Sequence, residues 1–160
     1  MQTQDLETTI AAFLAYPTRP CLLLVSPDVA CLEMTVKNLA AAHCWPVLPL
    51  GQALSAALLH EAPARWATAT TRWLDDAVRQ ETSGPLLVSG IDLLFDPGLS
   101  LDPLRLFCQA GRRIPLVVAW PGTHAGDVLA YAVPEHAHYR SWRHPEVVVV
   151  MVDVTNKNLS

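Results

Sequence analysis

Charged side chains are scarce in this sequence: Asp, Glu, Lys and Arg make up 16% of its 160 residues, and they leave a formal net charge of -4. So thin and negative a charge gives no global attraction for phosphate backbones, which excludes nucleic-acid binding by bulk electrostatics and leaves only a local basic patch to supply it. No apolar run approaches membrane-spanning length. The opening residues, MQTQDLETT, have neither the basic nor the apolar region of a secretion signal. The expected compartment is the cytoplasm. The cysteines, Cys21, Cys31, Cys44 and Cys108, include no C-x-x-C pair and are expected to be reduced core thiols. There is also no internal repeat, low-complexity segment or interdomain linker.

What the chain does have is apolar content, 51% of its residues. Its length suits one domain with a real core, running over 1–160, with a helix and lead-in over 1–19 and a polar tail that frays over 155–160. A chain this apolar and this poor in charge is expected to carry a weakly polar surface or one covered by a protein partner.

The organising stretch is Pro20 to Thr35, PCLLLVSPDVACLEMT. Cys21 to Val25 is a short apolar run between prolines and reads as a buried strand, and a helix follows it. A buried strand turning sharply into a helix N-terminus is how a P-loop holds phosphates, although any α/β protein contains strand-turn-helix units. Laying G-x-x-x-x-G-K-[ST] from Ser26 puts Ser26 and Cys31 on the glycines, Leu32 on the lysine and Glu33 on the metal-binding hydroxyl. Between them lie Pro27, Asp28, Val29 and Ala30. Side chains at the glycine positions crowd the backbone approach to phosphate, Leu32 cannot neutralise it, and Glu33 and Asp28 repel it.

The rest of the chain alternates strand and helix signals. Helical spacing is expected over Asp5 to Tyr16, Leu32 to His43, Gln52 to His60, about Pro63 to Glu81, and about Asp102 to Ala110 with Asp102 as cap and Pro103 at the first position. Strands are expected at Trp45 to Leu50, an edge strand because of Pro46 and Pro49, at Gly84 to Ile91, and at Ile114 to Trp120, ended by Pro121 and Gly122. Gly126 to Ala132 reads as helical or irregular. Glu146 to Val154 lacks alternation and is expected to be a core strand buried on both faces. The fold class is therefore α/β: three layers, with a parallel sheet of about five strands and right-handed crossovers.

In such a sheet the strand carboxyl ends form the binding rim, so Ser26 to Glu33, Ser89 to Asp92 and Trp120 to His124 should converge. An ATPase needs an acid at the tip of the strand Leu86 to Val88, and Ser89 stands there; Asp92 reads as a turn cap that could substitute. Trp120 reads as a packing or interface group, as do Trp66, Trp73 and Trp142. Glu135, His136, His138 and His144 fit no metal motif and read as a solvated loop. Arg112, Arg113, Arg140 and Arg143 could meet an acidic partner or a neighbouring nucleotide. Of the thiols, Cys31 at a helix N-terminus is best placed for reactivity.

Taken together, LLVSGIDLLFDPGLSLDPLRLF, IPLVVAWPG, YAVPEHAHYRSW and LGQALSAALL resemble the BrxF family, small P-loop-containing proteins of type III BREX phage-defence systems. The resemblance spans about Cys21 to Asp153. It implies a RecA-like or AAA-like core without a lid domain, working within a multi-subunit bacterial defence machinery. Family members carry an intact phosphate loop and a strand-tip acid; this sequence departs at both, over Ser26 to Glu33 and at Ser89. The expectation is a non-catalytic subunit that works through contacts with other subunits of the defence complex or with a second copy of itself. Trp120, Arg140, Trp142 and Arg143 are the expected contact residues. No catalytic residue, metal or ATP-magnesium cofactor is expected, and nucleic acid is reached only through the complex. The alternatives are a weak ATPase binding nucleotide through backbone amides and Asp92, and a nucleic-acid accessory using the four arginines.

Overall fold

The computed structural model describes residues 3–16, 18–81, 85–132 and 135–152, with side chains from residue 6 onward. The expected tail, Gly84, and the last two residues of the run Glu146 to Val154 lie outside the described residues.

The elements in order are α1 (Thr3–Ala15), β1 (Cys21–Ser26), α2 (Val29–His43), β2 (Val47–Pro49), α3 (Leu50–Leu58), α4 (Trp66–Arg79), β3 (Leu86–Ser89), α5 (Pro103–Ala110), β4 (Leu116–Ala125), β5 (Val128–Tyr131), β6 (Arg140–Arg143) and β7 (Val148–Met151). Strands β2, β3, β4, β1 and β7 pair in that order, all parallel. Strand β1 is thus central, with Leu23 paired to Val118 on one side and to Val149 on the other. Its six residues, CLLLVS, are all buried, which is why the run shows no polar alternation.

Successive strand residues point to opposite faces, and the core divides accordingly. Leu22 and Leu24 of β1, Val117 of β4 and Val150 of β7 pack with Ile10 and Phe13 of α1 and Leu32, Val36 and Leu39 of α2. Cys21, Leu23, Val25, Val118 and Trp120 face the other way, toward Leu54 of α3, Leu74 and Val78 of α4, and Phe107 of α5. The chain leaves β1 for the β2 edge with α2 on the first face, then returns strand by strand with α3, α4 and α5 on the second. Opposite directions on opposite faces are what right-handed crossovers require. The result is a three-layer α/β/α arrangement.

Several expectations change in detail. The helix expected from Leu32 begins at Val29, and the one expected from Pro63 divides into a single 3-10 turn (Pro63–Arg65) and α4. Gly126 to Ala132 is not helical: Gly126 (φ +59) and Asp127 form a two-residue hairpin turn, and β5 pairs antiparallel with β4. Strand β4 does not end at Trp120 but runs through Pro121 and Gly122 to Ala125. Proline is tolerated there because it sits where β4 leaves the parallel ladder and joins an antiparallel ribbon with β5 and β6. Strand β7 packs on both faces but is an edge strand, paired among the described residues only with β1, and Val148, Val149 and Met151 are half-buried. Strand β2 is the opposite edge, as its prolines indicate. Cys44 is no core thiol: it is exposed at the left-handed C-cap of α2, at φ 56.

Candidate functional site

Because the five strands run the same way, their carboxyl ends share one rim. Strands β1 and β4 are neighbours whose onward connections leave on opposite faces, and a crevice opens where connections diverge in this way. Ser26 pairs with Pro121 at that point. The three expected segments therefore do converge in backbone position.

The β1 to α2 connection is short. Only Pro27 and Asp28 separate the end of the strand from the first helical residue, Val29. Ser26 is 1% exposed, and its Oγ accepts a hydrogen bond from the Asp28 N–H at 3.0 Å. Asp28 is the N-cap, with extended backbone, and its Oδ1 accepts from the Cys31 N–H at 3.2 Å. A carboxylate of the chain itself thus sits at the helix N-terminus, where a bound anion would otherwise meet the free amides and the positive end of the helix dipole. Val29 and Ala30 are exposed on the first helical turn, and Glu33 is exposed beyond them. Cys31 and Leu32, each 3% exposed, are drawn into the α2 face of the core. Residues that would form an open loop in a phosphate cradle are instead helical, and the residue aligned with lysine points into the apolar interior. The side chains that cradle and neutralise a triphosphate in a phosphate loop are absent from this turn.

Ser89 and Asp92 part company. Ser89, half-buried at the tip of β3, lines an open groove of about 830 Å³ with Ala30, Met34, Lys37 and Ala41 of α2 and Val47 of β2. Glu33 also borders it. Apart from Glu33, Lys37 and Ser89 the lining is aliphatic or thioether, and Met34 and Val47 are 42% and 39% exposed. Asp92 opens a 3-10 turn (Asp92–Phe95) and its Oδ1 accepts a 2.6 Å hydrogen bond from the Tyr131 hydroxyl. Burial, and then the bond to Asp92 and its charge, push the Tyr131 phenol well above the ordinary tyrosine range.

The ribbon of β4, β5 and β6 covers this side of the rim and gathers the aromatic residues. Trp120 is 0% exposed, and its indole N–H donates to the Ala130 carbonyl at 3.0 Å. Its ring meets Phe95 and Trp142 edge-on, with centroids 5.1 and 5.3 Å away, while Phe95 stacks on Tyr131. Trp120 is therefore a packing group, and the expectation that it serves as a surface contact is corrected: β4 continues past it and β5 seals it. Trp142 is half-buried and donates to Asp102 at 3.1 Å. Arg140 donates to the Leu101 carbonyl at 2.6 Å and lies over the Trp142 ring. Arg143 is exposed.

Among protein-family models, curated proteins and solved structures, none matches the chain.

The remaining candidates are dispersed. Arg113 bridges to Asp75 at 2.9 Å, and Asp75 also pairs with Arg79. His144 lies 3.2 Å from Asp127 across the ribbon turn, whereas the His138 N–H bonds to the His136 ring. Among the described residues no group of three or more His, Cys, Asp or Glu could hold a metal ion. Nor is any helix among them long and apolar enough to cross a membrane. Sequence reading missed Tyr131 and the ribbon that carries it. The signal was present in Gly126-Asp127, a dipeptide suited to a two-residue hairpin, flanked by residues of high strand propensity.

Proposed function

We propose that this protein is a degenerate P-loop-like subunit of a bacterial anti-phage defence complex of the BREX type, acting through protein contacts and not through nucleotide hydrolysis. The observation that carries the reading is the β1 to α2 connection: a central strand feeds a helix N-terminus, as in a nucleotide-binding core, yet Asp28 caps the amides and Leu32 is buried. The architecture supports descent from a RecA-like or AAA-like core without a lid, and the chemistry supports loss of its ligand. Contact with partners is supported by the groove beside α2, where Met34 and Val47 are exposed at the open edge of the sheet.

Copurification and mass photometry with the products of neighbouring genes test this reading. A stoichiometric complex that Met34→Asp weakens at least tenfold is expected. A protein that stays monomeric and binds none of those products overturns it, and so does calorimetric binding of ATP with magnesium that Asp28→Ala or Ser26→Ala alters.

A further inference from the structure

Cys21 opens β1 at the amino end of the sheet, opposite the rim, and is 0% exposed; Cys108, in the last turn of α5, is half-buried. Backbone packing brings the two together. Gly111, just beyond α5, lies so close to the chain entering β1 that a Cβ on it would stand 2.0 Å from the Pro20 carbonyl oxygen. That contact pins the end of α5 against the residue before Cys21. Residues three apart share a helix face, so Cys108 is turned toward the same junction. Both thiols belong to the same side of the sheet, Cys21 in the core cluster and Cys108 packed against it. Cys31 lies on the other side, and Cys44 is exposed at the end of α2.

We propose that Cys21 and Cys108 form a redox-active dithiol, with Cys108 as the thiol that meets peroxide and Cys21 as the thiol that resolves it into an intramolecular disulfide.

The surroundings favour that division of labour. A hydrogen bond from the Cys21 thiol holds Cys108 below the ordinary thiol range, with the Arg112 guanidinium acting in the same direction against burial and the carboxylates of Asp102 and Glu146. The same bond, together with burial, keeps Cys21 protonated. The thiolate is the nucleophile, so the partly accessible sulfur is the reactive one. In the first step the Cys108 thiolate attacks one peroxide oxygen and an S–O bond forms. The O–O bond breaks, and the departing hydroxide takes a proton to become water. In the second step Cys21 gives up its proton and attacks the Cys108 sulfur. An S–S bond forms as the S–O bond breaks, and the released hydroxide leaves as a second water. The two thiols lose two electrons in total and the peroxide gains them. The bond would tie the amino end of the central strand to α5, and it needs neither the groove nor the rim.

The test uses the reduced full-length chain, treated with hydrogen peroxide and mapped as peptides without reduction. A product lighter by two hydrogens is expected, with Cys21 joined to Cys108, Cys44 still alkylatable, and the mass restored by dithiothreitol. Cys108→Ser should abolish the link. Cys21→Ala should leave Cys108 as a sulfenic acid that dimedone captures. The mapping of the unmodified sequence stands alone if a variant fails to fold. Persistent free thiols at both positions, Cys108 oxidised without a link to Cys21, or a link that uses Cys44 instead would each overturn the proposal.

Discussion

At Trp120 the side chain fills the junction between the parallel sheet and the ribbon, and its one polar atom is bonded to Ala130. Trp120→Ala should cost about 3–5 kcal/mol in urea unfolding, because a large apolar volume is removed from between the Phe95 and Trp142 rings. Thr70 presents the opposite case. It is buried in α4, and its hydroxyl has no hydrogen-bond partner among the described residues. Thr70→Val keeps the shape and removes the stranded group, so it should be neutral or stabilise by about 1 kcal/mol in the same assay. Tyr131 makes stability depend on alkaline pH. Its folded pKa lies above that of an unfolded tyrosine, about 10, so above that pH the unfolded chain releases a proton that the folded chain retains. The contribution is complete below about pH 10 and is lost as pH rises further. Thermal unfolding across that range should show the midpoint falling, and Tyr131→Phe should remove that part of the fall.

At the scale of the element, the length of the β1 to α2 turn decides more than its composition does. Leu32→Lys with Glu33→Thr restores two residue types of a phosphate loop, but both positions are already helical and Leu32 faces the core. The double variant should show no ATP binding by calorimetry. It should also lose about 2–4 kcal/mol of stability, since a lysine is forced either to bury its charge or to pull α2 off the sheet. Binding gained in that variant would mean that the turn can lengthen at the expense of the first helical turn. The ribbon is the second element with a decisive detail. Gly122 lies so close to β5 that a Cβ would stand 1.9 Å from the Ala130 oxygen, so the close pairing that seals Trp120 depends on glycine at that position.

Across the whole molecule, the two faces of the sheet are covered unequally. One carries α3, α4, α5 and the ribbon, while the other carries α1 and α2 and leaves the groove beside β2 open. Met34→Asp changes an exposed position in that groove, so the isolated chain should keep its stability to within about 0.5 kcal/mol while losing the proposed partner complex. Thermal unfolding beside mass photometry separates the two effects.

Much of the scaffold was legible from residue order alone. The buried strands at Cys21 to Val25, Leu86 to Val88 and from Leu116 onward announced themselves as short apolar runs between breakers. The cap at Asp102 follows from side-chain chemistry that acts within three residues, whereas the cap at Asp28 went unread because the helix was expected to begin at Leu32. These signals are local, and local chemistry is what a sequence states directly. The departures from the phosphate-loop pattern at Ser26, Cys31, Leu32 and Glu33 were equally plain, because they are matters of residue type. What only the tertiary structure decided depends on distant segments. The edge position of β7, the continuation of β4 beyond Pro121, the bond between Asp92 and Tyr131, and the meeting of Cys21 with Cys108 all bring together residues far apart in the chain. Pairing energies between such segments depend on which surfaces remain free once the sheet order is set, and no window along the chain contains that order.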